Sequence, residues 1–207
     1  ETGAGQWGAA LSYAGAMFDI DVQVWQGRTS YESKPYRRML MDLYGGRCYS
    51  SPTMDTKAGR AMNEKFPGTT GSLGMASSEA VEVALEDEKT HYTLGSVLNH
   101  VMLHQTIIGE ETLLQLKKFG EDQADYVFGC AGGGSNLAGL SFPFIRELIA
   151  GNCTTKIVAV EPASCPSMTE GEFRYDYGDV AHTTPLMKMY TMGCLLYTSP
   201  SPRDLST

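Results

Sequence analysis

Residues 126–160 carry the sequence YVFGCAGGGSNLAGLSFPFIRELIAGNCTTKIVAV, which decides the fold class. The apolar run at 126–130 predicts a short strand, the glycines at 132–134 a tight loop, and residues 135–149 a helix. A second, largely apolar run at 156–161 predicts the next strand. A strand, a helix and a strand in this order predict a right-handed crossover between parallel strands. The chain is therefore expected to have an α/β fold with a parallel sheet.

Residues 132–136, the phosphate loop, connect the predicted strand to the predicted helix. Gly132, Gly133 and Gly134 let backbone N–H groups approach an anion with no Cβ in the way, and a helix N-terminus favours negative charge. Ser135 and Asn136 add side-chain donors. The spacing is neither GxGxxG nor GxxxxGK[ST], so a compact phosphate monoester fits better than a dinucleotide or a nucleoside triphosphate. The alternative is a tight turn that needs glycine for steric reasons alone.

Residues 1–8 read ETGAGQWG and form a second glycine-rich stretch ahead of an apolar run. A loop that leads into a helix presents backbone N–H groups without intrahelical acceptors, which suits an anion. The functional interpretation is a carboxylate loop made of Thr2, Gly3, Ala4, Gly5, Gln6 and Trp7. Glu1 adds an acid beside it and is a candidate for proton transfer. The alternative is a glycine-rich helix entry with an exposed glutamate.

Periodicity and end signals predict the remaining elements. Pro35 suits the first turn of a helix, and Ser77 or Ser78 is a candidate N-cap. The composition of 6–18 predicts a largely buried helix, and the segment 101–108 is apolar on more than one face, which also predicts burial. The predicted helices are 6–18, 35–43, 57–65, 78–86 and 96–119, and the predicted strands are 21–26 and 47–49.

The charge balance is acidic, with 16 Lys and Arg against 24 Asp and Glu and a net charge of −8. This argues against a nucleic-acid partner, and no apolar run approaches the ~20 residues of a membrane span. The five cysteines have no CxxC or metal spacing, which predicts reduced thiols in a cytosolic protein. His100 and His104 share a helix face, but no third ligand accompanies them, so no metal site is predicted.

Three motifs together resemble the tryptophan synthase β chain: ETGAGQWG at 1–8, GGGSN at 132–136 and VEP at 160–162. Further stretches resemble the second, divergent type of β chain, which generally works without tight dependence on the α subunit. They are YESKPYRR at 31–38, HYTLGSVLNH at 91–100, QTIIG at 105–109, YDYGD at 175–179 and TPLMKM at 184–189. Trp7, where the common branch typically carries histidine, supports the same type. The resemblance covers residues 1–193.

The resemblance implies a fold type II pyridoxal-phosphate enzyme, with parallel sheets covered by helices on both faces, as in cysteine synthase and threonine synthase. The implied cofactor is pyridoxal 5'-phosphate. The implied reaction is a β-replacement in which L-serine, or phosphoserine, and indole give L-tryptophan. The family also implies a cytoplasmic homodimer in which contact with an α subunit is weak.

By position, Glu1 matches the family's catalytic acid/base, residues 2–7 its substrate-carboxylate loop, and residues 132–136 its cofactor-phosphate loop. Residues 1–92 match part of the small, communication domain, and residues 93–193 match part of the larger domain. The Schiff-base lysine and the partner of the pyridine nitrogen are expected outside this chain. The fold is therefore expected to be incomplete and the chain alone inactive, because covalent attachment needs that amine.

Two alternatives stay open. One is another pyridoxal-phosphate enzyme of β-replacement or elimination, similar to cysteine or threonine synthase. The other is a non-catalytic α/β module that binds phosphate. Residues 194–204, CLLYTSPSPRD, resemble translated sequencing adapter, so 194–207 are expected to be an artefactual or disordered tail with no function. A genuine Ser/Pro-rich tail is the alternative there.

Overall fold

The computed structural model describes residues 1–163 and 165–193. They form two compact units: Glu1–Thr93 with the described residues from Ala163 onward, and Leu94–Pro162. The helices are α1 Gln6–Phe18, α2 Arg28–Ser33, α3 Pro35–Leu43, α4 Lys57–Lys65, α5 Leu73–Glu86, α6 Asn99–Gln105, α7 Ile107–Lys118 and α8 Ser135–Ile149. The strands are β1 Gln23–Gly27, β2 Arg47–Ser51, β3 Tyr126–Cys130, β4 Lys156–Val160, β5 Glu172–Asp176 and β6 Met187–Thr191. Within the described ranges, no helix is long and apolar enough to cross a membrane. The predicted tail, 194–207, lies outside the described residues.

The unit Leu94–Pro162 contains the predicted strand–helix–strand arrangement. Strands β3 and β4 pair in parallel, from Tyr126 opposite Lys156 to Cys130 opposite Val160. Helix α8 connects them and packs on β3, α6 and α7. A Cβ at Gly139 would come within 2.5 Å of Gln105 Cβ, so glycine is needed for the close approach of α6 to α8.

The predicted long helix 96–119 is wrong in two respects. It is divided at Thr106 into α6 and α7, because the Thr106 N–H and hydroxyl both bond the Leu103 carbonyl, three residues back, and so form a tight turn. Its middle is also not buried: Leu103, Ile107 and Ile108 are 68%, 56% and 49% exposed.

The first unit is built around a parallel pair, β1 and β2, with Gln23 opposite Arg47. Val24 packs in one apolar cluster with Met41 of α3, whereas the next residue, Trp25, packs in another with Ala76 of α5. Successive side chains of a strand point to opposite faces, so helices cover both faces of this small sheet. The predicted α/β fold class with parallel strands and two covered faces is confirmed.

Helix α1 lies very close to the sheet. A Cβ at Gly8 would come within 2.7 Å of Met41 Cε and 3.0 Å of Val24 Cγ1. The prediction of a largely buried helix holds only for this side: Gly8, Ala9, Ser12 and Gly15 are buried, whereas Met17 and Phe18 are exposed. Small residues on the inner side of α1 thus seat it directly on the core.

Helix α5 begins five residues earlier than predicted. Its N-cap is Ser72, whose Oγ accepts a hydrogen bond from the Met75 N–H at 3.1 Å. The predicted caps, Ser77 and Ser78, are buried inside the helix instead. Ser78 Oγ lies 3.0 Å from the Gly74 carbonyl oxygen, one turn back in α5, which is a contact of a helix interior and not of an N-cap.

The described residues from Ala163 onward belong to the same compact unit as Glu1–Thr93. The physical link is Asp179, which accepts a hydrogen bond from Ser78 of α5 at 2.9 Å, and Val180, whose N–H bonds the Gly74 carbonyl. The segment also contains an antiparallel pair, β5 and β6, that was not predicted. The match of these units to the family's small and large domains stays a prediction.

Candidate active site

The carboxylate loop is attached to β1 at its first residue. Thr2 forms a parallel bridge to Gln26, its N–H donates to the Trp25 carbonyl at 3.0 Å, and its Oγ1 accepts from the Gly8 N–H at 3.1 Å. The Thr2 hydroxyl therefore satisfies one of the open donors in the first turn of α1. Thr2 is almost completely buried, so its side chain supports the loop from inside.

Gly5 is the residue at which the chain turns into α1. Its φ is +97°, in the left-handed region that favours glycine. A Cβ there would also come within 2.8 Å of Arg37 Cβ and 3.2 Å of Gln26 Nε2. Both the backbone angle and the space require glycine at this position.

The outer side of this loop is rich in open donors. Within the described residues, the backbone N–H groups of Gly3, Ala4, Gly5, Gln6 and Trp7 have no hydrogen-bond acceptor. Gly3 and Gln6 are exposed. Successive open N–H groups at a helix N-terminus bind anions, so the predicted carboxylate-binding chemistry fits this geometry.

Glu1 is buried at 8% exposure, so the alternative of an exposed glutamate is wrong. Its Oε2 has no hydrogen-bond partner among the described residues. Burial raises the pKa of the Glu1 carboxyl. A buried carboxyl with a raised pKa and a free oxygen is suited to carrying a proton.

Tyr92 was not singled out from the sequence. Its hydroxyl is buried and has no hydrogen-bond partner among the described residues. Burial raises the pKa of the Tyr92 phenol, and the negative charges of Glu1 and Asp179 raise it further. Tyr92 therefore stays neutral at neutral pH.

The phosphate loop forms as predicted at the end of β3. Gly134 is the N-cap of α8 with φ +100°. A Cβ at Gly133 would come within 2.4 Å of Ser96 Oγ. Asn136 Nδ2 donates to the Cys130 carbonyl at 3.2 Å, which ties the start of α8 to the end of β3. Steric crowding and the backbone angle thus explain part of the need for glycine at Gly133 and Gly134.

The phosphate loop also has open backbone donors, which steric needs do not explain. In the part of the chain that the structure describes, the backbone N–H groups of residues 132–136 have no acceptor. A loop kept free of side chains at Gly133 and Gly134, with open N–H groups at the start of the 15-residue helix α8, fits the phosphate of pyridoxal phosphate. The roles of Gly132, Gly133, Gly134, Ser135 and Asn136 stay predictions, as do those of residues 1–7.

The two loops belong to different compact units, and each is described by itself. His104 Nδ1 lies 2.6 Å from the His100 carbonyl oxygen, and no group of metal-binding side chains occurs among the described residues. Cys48, Cys130 and Cys153 form no disulfide within the described residues.

Comparison with known proteins now decides the family. The sequence pattern described as "Pyridoxal-phosphate dependent enzyme" matches residues 1–204. The chain belongs to this pyridoxal-phosphate-dependent enzyme family. The predicted resemblance is confirmed, and with it the fold type and the cofactor that the family implies.

Relatives within the family are more specific. The chain is 55% identical over 193 residues to "Tryptophan synthase beta chain 2" of Methanosarcina mazei, covering 93% of this chain and 43% of that protein. It is 51% identical over 200 residues to "Tryptophan synthase beta chain" of Pyrococcus horikoshii, covering 97% of this chain and 43% of that protein. The chain therefore spans less than half of the length of these relatives.

Solved structures share the fold at low sequence identity. Diaminopropionate ammonia lyase of Escherichia coli superposes with a TM-score of 0.53 at 13% identity, over 77% of this chain and 40% of that chain. Serine racemase of Dictyostelium discoideum superposes with a TM-score of 0.51 at 16% identity, over 96% and 55%. Such similarity supports the fold alone.

Proposed function

We propose that the whole enzyme containing this chain makes L-tryptophan and water from L-serine and indole by β-replacement. The observation that carries the proposal is the 55% identity to a tryptophan synthase β chain over 193 residues, which are 93% of this chain. Phosphoserine is the second candidate donor, since the open N–H groups of residues 3–7 suit a carboxylate in either substrate.

The carboxylate loop binds and orients the amino acid. Its open N–H groups contact the substrate carboxylate at the helix N-terminus of α1, where the helix dipole favours negative charge. Because the loop backbone is fixed by Thr2 and Gly5, it offers these donors without rearrangement. Orientation of this kind lowers the entropic cost of reaction.

The phosphate loop holds the cofactor through its phosphate, with residues 132–136 as the donors. When bound, pyridoxal phosphate supplies an electron sink for the carbon atoms of the amino acid. The protein side chains contribute proton transfer and position.

Glu1 moves the proton. Hydroxide is a poor leaving group, so the serine hydroxyl oxygen needs a proton as its bond to carbon breaks and water departs. The raised pKa of the Glu1 carboxyl keeps that proton available, and its unpartnered Oε2 can deliver it. The carboxylate that results then accepts the proton that indole loses as its carbon bonds to the substrate, which returns Glu1 to its starting state.

The assay uses a whole enzyme. Residues 1–193 replace the matching segment of the Methanosarcina mazei β chain, which restores the length that this chain lacks. The chimera is expected to form tryptophan from serine and indole, whereas the isolated chain is expected to form none. Cysteine formation from O-acetylserine and sulfide, or deamination of threonine, without tryptophan would favour the related enzymes. No turnover of any of these substrates would favour a phosphate-binding module.

We also propose a cytoplasmic homodimer in which an α subunit has little effect. Among the described residues, Cys48, Cys130 and Cys153 form no disulfide, as in proteins of reducing compartments. Mass measurement by light scattering tests the dimer. Serine turnover with and without an added α subunit tests the partner, and a large stimulation would contradict it.

A further inference from the structure

Gln26 is a fully buried polar side chain directly behind the carboxylate loop. It is 0% exposed and lies in β1, opposite Thr2 in the parallel bridge. Its Nε2 donates to the Gly3 carbonyl at 3.0 Å, and its Oε1 accepts from the Cys48 thiol at 3.7 Å. A buried amide with both ends satisfied is rigidly held.

The orientation of this amide follows from chemistry. The Gly3 carbonyl can only accept, so the amide must present its NH₂ group to it, and Oε1 must face Cys48. Burial raises the pKa of the Cys48 thiol to about 11, so Cys48 keeps its proton and remains a donor to Oε1. The arrangement is therefore stable at neutral pH.

The bond to Gly3 determines where the next N–H points. In a trans peptide, the C=O of one residue and the N–H of the next point in opposite directions. The Gly3 carbonyl points inward to Gln26, so the Ala4 N–H points outward, to the side where Gly3 is exposed. Among the described residues, the Ala4 N–H has no acceptor of its own.

We propose that Gln26 is a positioning residue for substrate binding: it holds the Gly3 carbonyl inward and thereby aims the Ala4 N–H at the substrate carboxylate. The proposal rests on the function given above for the carboxylate loop. Without the Gln26 donor, the peptide between residues 3 and 4 is free to rotate, because Gly3 is exposed and a Cβ there would meet nothing within 4 Å. Loss of the Gln26 donor is therefore expected to weaken the binding of serine before the reaction starts.

The first test is Gln26→Met in the chimera, since methionine has a similar length and no donor. We expect the KM for serine to rise by roughly tenfold, which corresponds to the loss of one hydrogen bond. The kcat at saturating serine and the KM for indole are expected to stay within about twofold, as for lost uniform binding. Cys48→Ser is the matched control, because serine retains a donor on the Oε1 side and leaves the bond to Gly3; its serine KM is expected to be unchanged.

A merely structural Gln26 would give a different result. An unchanged serine KM in Gln26→Met would overturn the proposal. So would a fall of kcat, indole affinity and Tm together, because that pattern indicates general loss of the fold.

Hydrogen exchange of the Ala4 amide tests the same idea without depending on how well the variant folds. In the unmodified chimera the Ala4 amide is expected to exchange fast alone and slowly with saturating serine. An amide already protected without serine, or unaffected by serine, would overturn the proposal. If the chimera makes no tryptophan but serine protects Ala4 and Gln26→Met abolishes that protection, the proposed reaction fails while the role of Gln26 stands.

Discussion

Two buried carboxylates in the first unit have opposite surroundings. Asp179 is 0% exposed and accepts five hydrogen bonds, from the Ser78 hydroxyl and from the N–H and hydroxyl groups of Thr183 and Thr184. Burial by itself raises the pKa of Asp179, but these donors outweigh it and hold the pKa below its ordinary value. Glu1 is similarly buried, but its Oε2 has no partner among the described residues, and its pKa is raised.

The difference shows that donors, and not burial, decide what a buried acid does. Asp179 stays ionised and fastens residues 176–184 to α5. Glu1 keeps a proton that it can release. One carboxylate stabilises the unit, and the other is free for chemistry because the fold leaves it unsatisfied.

The largest expected effect is on turnover. Glu1→Gln in the chimera keeps the size of the side chain and removes the exchangeable proton, so kcat is expected to fall by ~10²-fold or more. The absorbance of bound cofactor is expected to be unchanged. Unchanged kcat would mean that Glu1 is not the acid/base and that its unsatisfied state has no catalytic use.

Asp179→Asn should affect stability instead. The amide cannot accept all five donors and places an NH₂ group against N–H groups, so the free energy of unfolding is expected to fall by about 3 kcal/mol. Urea denaturation measures this. Asp87→Asn is the matched control, since Asp87 is exposed and bonds only within its own turn, to Lys89 and Thr90. Equal losses in both variants would remove the distinction between these two aspartates.

Glu1 and Asp179 should also make opposite contributions to the pH dependence of the free energy of unfolding. The folded state binds the Glu1 proton more tightly than the unfolded state, so the stability linked to Glu1 declines as pH rises above the ordinary value of 4.5. As the pH rises above 4.5, the free energy of unfolding of Glu1→Gln is therefore expected to increase relative to that of the unmodified chimera.

For Asp179 the pKa is lowered in the folded state, so its contribution is present above the ordinary value of 3.8 and is lost as pH falls through the folded value. The deficit of Asp179→Asn is thus expected to shrink in acid. Urea midpoints measured across pH would contradict the assignment if both variants changed in the same direction.

The smallest expected effect comes from removing a single donor to Asp179. Thr183→Val loses the hydroxyl at 2.6 Å and retains the backbone N–H at 3.0 Å, so it is expected to cost about 1 kcal/mol. Thr29→Val is a suitable control, because the Thr29 hydroxyl is exposed and its bond to Thr70 is long at 3.4 Å. A loss as large as that of Asp179→Asn would show that the five donors do not act separately.

Local signals predicted much of the fold. The helices 35–43, 57–65 and 135–149 and the strand 126–130 have the predicted bounds, since proline, glycine and periodicity act over a few residues. The strand predicted at 156–161 ends one residue earlier, at Val160. The errors lie where distant contacts compete with local preference. Ser78 resembles a cap but is buried in α5, where Asp179 accepts from it across 101 residues of sequence.

The candidate site follows the same rule. Both glycine loops could be found from the sequence because each needs glycine immediately before a helix. Gln26, Tyr92 and Asp179 could not, since their importance arises from partners brought together by the fold. The YDYGD stretch at 175–179 was the one available signal for Asp179, and it pointed to the family without revealing a role.

The contact of Gly8 with Met41 and Val24 has a consequence for engineering. Helix α1 carries the carboxylate loop at its start, and it stands directly on these core side chains. The volume of the core side chains beneath α1 therefore determines how far the carboxylate loop lies from β1. Substitutions at Met41, a position fully hidden from solvent, should adjust substrate affinity without altering any group that the substrate touches.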